Sequence, residues 1–198
     1  MEKDVMVLDQ SMQNTRLTKW LCVLFYAEVV SLVILLAAMV PMLEGVITWI
    51  SLIASAAVLV ALYQLSPVHE RYRKSSRFYL VAFLGSLVQA FTGSNILTSA
   101  AGICGIVASY QEYNAHSELL NVKDNQLSGK WNALFYWEIA AGLIGGFAAM
   151  AVAVLGVGAG MEESLLVILG VAVVAVLEVP LSLLRLRYLK KTIGCFMD

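Results

Sequence analysis

The sequence predicts an all-α integral membrane protein, a single domain built as a bundle of six transmembrane helices. Of its 198 residues, 60% are hydrophobic and only 14% are charged, whereas about a quarter of the residues in a soluble domain are charged. The mean hydropathy of +0.81 excludes a disordered or low-complexity chain. The apolar residues also fall into long runs, which is typical of helices that cross a bilayer.

Six apolar runs define the predicted elements. A bilayer core about 30 Å thick needs about 20 helical residues, and four of the runs reach that length. The third and fourth runs are shorter and are separated only by the polar residues 92–95, so they form one long helix, two short spans or a re-entrant hairpin. The predicted spans cover residues 17–40, 46–65, 78–91, 96–110, 131–156 and 164–184.

Local features support this assignment along the chain. The first run is too long for a cleaved signal peptide, so we expect it to remain as a span. Cys22 and Cys104 lie within apolar runs, which argues against a disulfide framework. In the sixth run, Pro180 is expected to bend the helix or to free backbone carbonyl groups.

The distribution of basic residues separates the alternatives for the middle runs. If these runs form a hairpin, all 13 Lys and Arg residues, including Arg185 after the sixth run, fall on one side of the membrane. A single long helix would divide them almost equally. Because Lys and Arg accumulate in cytoplasmic loops, we expect three hairpins in the cell membrane, with both termini in the cytoplasm.

An internal repeat relates the first and third hairpins. Lys19 and Trp20 precede the segment LFYAE, which ends at Glu28, and Lys130 and Trp131 precede LFYWE, which ends at Glu138. Membrane interfaces favour Trp and basic residues whatever their ancestry. That preference does not explain the shared glutamate, so we interpret the pattern as a parallel repeat flanking a short middle hairpin.

Apart from Lys19 at the edge of the first span, the charged residues inside the predicted spans are three glutamates: Glu28, Glu138 and Glu178. An ionised carboxylate at mid-bilayer costs about 2.5 to 3.5 kcal/mol. All three lie about 10 to 12 Å from the cytoplasmic edge by helical rise, and no Lys or Arg is expected at that depth. They therefore form a candidate site that holds a proton or a cation, unless they reach the interface or bond to neighbouring helices as packing contacts.

Further candidates surround these acids. Tyr26, Tyr136 and Gln89 are uncharged hydrogen-bonding groups that we add to the candidate ligand site, although each tyrosine points away from its neighbouring glutamate along the helix. In the predicted loop 111–130, Glu112 and His116 would lie one turn apart if the fourth helix extended. A solvated helical loop is the expected arrangement, and we predict no metal, cofactor or catalytic residue.

These observations favour a small transport or ligand-binding membrane component that handles a proton, a cation or a cationic small molecule through the glutamates. Its size and span number are similar to those of the membrane substrate-binding subunits of vitamin uptake systems. The alternatives are a non-catalytic scaffold or regulatory subunit and, least favoured, an intramembrane lipid-modifying enzyme. The expected partner is the lipid bilayer, with a membrane or cytoplasmic protein or a second copy of the chain as open alternatives. Nucleic acid is not expected.

Overall fold

The computed structural model describes residues 2–38, 40–93, 97–158 and 160–197. Within these residues the regular structure is entirely helical. Six long helices follow one another, and a short 3-10 turn at Pro41–Leu43 separates the first two. The helices are α1 (Glu2–Ala37), α2 (Glu44–Leu65), α3 (Glu70–Thr92), α4 (Thr98–Leu120), α5 (Asn125–Gly158) and α6 (Glu163–Gly194).

Four of the described helices are long and apolar enough to cross a membrane. The candidate spans are Gln13–Ala37, Gly45–Leu65, Asn125–Gly158 and Ile168–Gly194, and their length and composition fit a membrane protein. Helices α3 and α4 are not among them, since α3 begins and α4 ends with a polar segment. Three statements about the fold stay predictions: that the chain has six spans, that they form hairpins, and that the first and third hairpins are repeats.

Each helix packs against the next helix in the chain. Helix α6 also packs against α1, so the contacts close around the bundle. Helices α3 and α4 approach closely at Gly85, where an added Cβ atom would lie 2.5 Å from the Cβ atom of Ala101. The absence of a side chain at Gly85 is therefore what permits this packing.

The buried core lies at one end of the bundle, which we call the packed end. This end combines the first turns of α3 and α5 and the middle of α1 with the last turns of α2, α4 and α6. The Thr18 hydroxyl donates to the backbone carbonyl of Phe196 at 3.3 Å, which ties α1 to the C-terminal segment. The large side chains buried here include Leu21, Leu62, Leu65, Tyr72, Tyr113, Leu120, Leu127, Trp131 and Leu189.

The segment 111–130 is largely helical, as expected, but the expectation that it is solvated is wrong for residues 111–120, most of which are buried or half-buried. Helix α4 continues to Leu120 and α5 begins at Asn125, because Tyr113, Ala115 and Leu120 bury an apolar face against the core. The Asp124 carboxylate accepts a hydrogen bond from the backbone N–H of Leu127 at 2.9 Å and caps α5.

The segment between the two middle runs is described only in part. Helix α3 ends at Thr92, and Gly93 follows it in the left-handed conformation with φ = 67°. Ser94 and Asn95 lie outside the described residues.

Candidate functional site

Arg185 forms the centre of a charged cluster inside the packed end. Its Nη1 atom lies 3.1 Å from a Glu28 carboxylate oxygen on α1, and its Nη2 atom lies 3.1 Å from a Glu112 carboxylate oxygen on α4. The side chains of Arg185, Glu28 and Glu112 are 19%, 13% and 3% exposed. A planar guanidinium can engage two carboxylates at once, so this triad joins α1, α4 and α6.

Glu138 on α5 supplies a third carboxylate. It accepts a hydrogen bond from the Tyr113 hydroxyl at 2.5 Å, and it interacts electrostatically with Arg185. The Tyr113 ring also lies 5.1 Å from the Arg185 guanidinium carbon, within the range of a cation–π contact. We call the four groups Glu28, Glu112, Glu138 and Arg185 the carboxylate cluster. With every member ionised, it has two more negative than positive charges.

The expectation that no basic residue lies at the depth of the glutamates is wrong. Arg185 follows the sixth apolar run, but α6 continues to Gly194, nine residues or about 13 Å further. The Arg185 side chain is therefore surrounded by helices. Glu112 is likewise buried in the bundle, since the fourth helix extends past its apolar run.

A buried line of polar and aromatic side chains continues from Glu112. The His116 Nε2 atom lies 3.6 Å from a Glu112 oxygen, and its Nδ1 atom lies 2.9 Å from the Tyr72 hydroxyl oxygen. The imidazole stacks on the Trp131 ring with centroids 4.4 Å apart, and the Trp131 indole N–H donates to the Thr192 hydroxyl at 3.1 Å. These contacts connect the cluster to α3, α5 and the end of α6.

A second ionic group lies at the surface of the packed end. The Arg71 Nε atom donates to a Glu118 carboxylate oxygen at 2.7 Å, and the His69 Nε2 atom lies 3.1 Å from the other oxygen. The hydrogen bond from the Arg71 guanidinium lowers the pKa of Glu118 below its ordinary value. Among the described residues, no group of three His, Cys, Asp or Glu side chains is placed to hold a metal ion.

The predicted site residues fall into four groups, of which the fourth is Gln89. Glu28 and Glu138 come together at the carboxylate cluster. Glu178 lies on α6 about 10 Å from Arg185 along the helix axis and is not among the groups that interact with it. Tyr26 and Tyr136 are both 67% exposed and point away from the bundle interior.

Gln89 lines a cleft away from the cluster. This cleft has a volume of about 570 Å³ and lies between α1, α2 and α3, toward the end of the bundle opposite the packed end. We call that opposite end the open end. The polar side chains that line the cleft are Thr48, Ser51, Ser86 and Gln89, and the other lining residues are Ile34, Ile47, Leu52, Ala90 and Gly93.

The cluster has the chemistry of a proton-holding site. The single guanidinium compensates one of the three negative charges. Sharing a proton between the remaining carboxylates costs less than burying both of them ionised. The contributing residues that we did not predict as site members are Arg185, Glu112, Tyr113 and His116. The one-turn spacing of Glu112 and His116 was the signal that pointed to part of this set. No protein-family model, curated protein or solved structure matches this chain.

Proposed function

We propose that this chain is a multi-pass transport component of the cell membrane and that it conducts protons through the carboxylate cluster. The observation that carries the proposal is the presence of three carboxylates around a single guanidinium in a nearly dry environment. A second uncompensated charge in such a place is expensive. At least one carboxyl group therefore gains or loses a proton readily as the surroundings change.

The proposed topology has six spans in three hairpins, with the packed end in the cytoplasm. Contacts between the described residues support this arrangement. The Arg16 guanidinium donates to the Gln64 side chain at 2.9 Å, and the Lys123 ammonium donates to the Cys195 carbonyl at 2.8 Å. A basic residue of α1 and one of the α4–α5 connection are thus bonded to the ends of α2 and α6, in keeping with the accumulation of Lys and Arg on the cytoplasmic side.

The repeat is part of the same proposal. Glu28 and Glu138 occupy equivalent places in the two LFY segments, and both interact with Arg185. Their partners differ, since Glu28 bonds to the guanidinium and Glu138 accepts from Tyr113. A duplicated glutamate that serves one shared cluster is the arrangement expected if the repeat contributes to function.

The contacts favour a proton over a larger cation as the species transported. Arg185 already fills the position that a bound cation would take between Glu28 and Glu112. None of the cluster residues lines the 570 Å³ cleft. A proton needs no cavity of its own, so it is the cargo that this packing admits without rearrangement.

Proton flux into liposomes tests the proposal. Purified protein is reconstituted with a pH-sensitive dye inside the vesicles, and a potassium gradient with valinomycin supplies the driving potential. We expect Glu138→Gln to reduce flux to the background rate, because glutamine keeps the side-chain shape and can still accept from Tyr113 but cannot exchange a proton. The matched control is Glu70→Gln, which changes an exposed carboxylate beside Lys74 and should leave flux intact. Wild-type flux in both Glu138→Gln and Glu28→Gln would contradict the proposal.

A non-catalytic scaffold or regulatory subunit is the second candidate. The supporting observation is that the cluster and its aromatic neighbours connect α1, α3, α4, α5 and α6, which is the role of a purely structural ion pair. This candidate predicts no flux above empty liposomes and recovery of a stoichiometric protein partner from native membranes under mild detergent. Flux that depends on Glu138 would argue against it.

A further inference from the structure

His116 is a buried titratable side chain that lies beside the carboxylate cluster without belonging to it. It follows Glu112 by four residues, or one turn, toward the packed end, so the two side chains share one face of α4. The His116 Nε2 atom lies 3.6 Å from the Glu112 Oε1 atom. The same oxygen lies 3.1 Å from Nη2 of Arg185. Glu112 therefore lies between the guanidinium and the imidazole.

The other ring nitrogen of His116 has a hydroxyl partner. Its Nδ1 atom lies 2.9 Å from the Tyr72 hydroxyl oxygen on α3, and both side chains are fully buried. A phenolic hydroxyl can both donate and accept a hydrogen bond. It can therefore bond to Nδ1 whether or not that nitrogen carries a proton, so the Tyr72 contact suits both the neutral imidazole and the imidazolium.

The Nε2 atom of His116 is buried without a hydrogen bond to any described residue. At 3.6 Å from Glu112 Oε1, it lies just beyond hydrogen-bond distance. The terminal torsion of a glutamate side chain is broad, so a small rotation of the carboxylate can close this gap. A proton on either atom then completes one hydrogen bond, with the carboxyl O–H donating to Nε2 or the ring N–H donating to Oε1.

The charges around His116 favour a proton at this place. The titratable and charged groups that contact the imidazole or its bonded partner are Glu112 on α4, Tyr72 on α3 and Arg185 on α6. Helix α5 contributes the uncharged Trp131 ring, which stacks on the imidazole at 4.4 Å. With all carboxylates ionised, the cluster has two more negative than positive charges. An imidazolium beside it offsets one of them.

We propose that His116 exchanges a proton with Glu112 and is the proton-holding group next to the carboxylate cluster on the cytoplasmic side of the path. This inference rests on the proposed function. In one state, the protonated Glu112 carboxyl group donates to Nε2 of the neutral ring, and Nδ1–H donates to the Tyr72 oxygen. The proton then moves from the Glu112 oxygen to Nε2, which leaves a carboxylate and an imidazolium. One O–H bond breaks, one N–H bond forms, and the Tyr72 contact is unchanged.

The first test follows the ring nitrogens of His116 by NMR in detergent micelles. The chain has two histidines, so nitrogen-15-labelled histidine gives two sets of ring signals, and His69→Gln identifies the set that belongs to His69. As the pH falls from about 8 to about 5, we expect the bare ring nitrogen of His116 to gain a proton in the wild-type chain. Glu112→Gln should keep the ring neutral over the same range, because a buried imidazolium would lack its carboxylate partner.

Two NMR results would overturn the inference. The first is a wild-type His116 that keeps one bare ring nitrogen at every pH, which is the behaviour of a purely structural imidazole. The second is a His116 that titrates in the same way in the wild-type protein and in Glu112→Gln. The wild-type measurement needs no substitution at the site, so it decides the question even if Glu112→Gln does not fold.

The second test measures flux in the liposome assay. His116→Gln keeps a polar side chain but removes the group that can gain a proton, so we expect flux to fall by about tenfold or more. The matched control is His69→Gln, which changes the partly exposed histidine beside Glu118 and should stay near the wild-type rate. The melting temperature of each variant in detergent shows whether the fold is kept.

The results separate this inference from the proposed function. Loss of flux in Glu138→Gln together with full flux in folded His116→Gln would refute the role of His116 and leave the proton-transport proposal standing. A wild-type protein that conducts no protons would remove both proposals.

Discussion

Replacement of Arg185 by methionine should destabilise the protein strongly. Methionine has a similar length and suits an apolar interior, so the main change is the loss of the positive charge. Glu28 and Glu112 then lose the guanidinium that lies 3.1 Å from each of them. Both carboxylates are mostly buried, so solvent cannot take over the role of Arg185.

The size of the effect follows from this burial. Removing one partner of a buried ion pair costs about 3 to 5 kcal/mol, because an unpaired charge is left behind. Protonation of Glu28 or Glu112 relieves part of that penalty, and the value stays within this range rather than doubling for two partners. At about 2 to 4 °C per kcal/mol for a chain of this size, the melting temperature should fall by roughly 6 to 20 °C.

Thermal unfolding in detergent measures the change by circular dichroism. Arg187→Met is the matched control, since Arg187 lies two residues away on α6 and is exposed. Adding Glu112→Gln to Arg185→Met should recover part of the loss, because it removes one unpaired carboxylate. A melting temperature for Arg185→Met as high as that of Arg187→Met would refute the argument that the guanidinium holds the buried acids.

Two further predictions concern the middle helices. Gly85→Ala should lower stability by about 1 to 3 kcal/mol through a clash with Ala101. The control is Gly102→Ala, which has no atom near the added methyl group and should be neutral or stabilising by up to about 1 kcal/mol. Equal melting temperatures for the two variants would contradict this prediction. Because Arg71 lowers the pKa of Glu118, that pair stabilises the fold above the ordinary glutamate pKa and loses its effect as pH falls through the lowered value. The melting temperature should therefore fall less steeply between pH 7 and pH 3 for Glu118→Gln than for the wild-type protein. The difference corresponds to at most about 1 kcal/mol at this exposed site, and parallel curves would count against the prediction.

The membrane class and the helices of the fold could be predicted because both depend on composition along the chain. Long apolar runs need helical hydrogen bonding in a bilayer, and the structure has a helix over each run. The positions of the helix ends were harder to predict from the sequence. Residues 111–120 look like a solvated loop by hydropathy, yet Tyr113, Ala115 and Leu120 are buried there, because neighbouring helices rather than lipid cover them.

The same limitation explains which part of the candidate site was missed. Glu28 and Glu138 stood out because an acid within an apolar run conflicts with its surroundings. Arg185 did not, since a basic residue just past an apolar run is the usual marker of a membrane interface. Its role depends on α6 continuing to Gly194 and on the rotation that turns its side chain toward α1 and α4. Helix rotation has little signature in a sequence that is apolar around most of each helix, so the partner of a buried acid can be identified only when the packing is known.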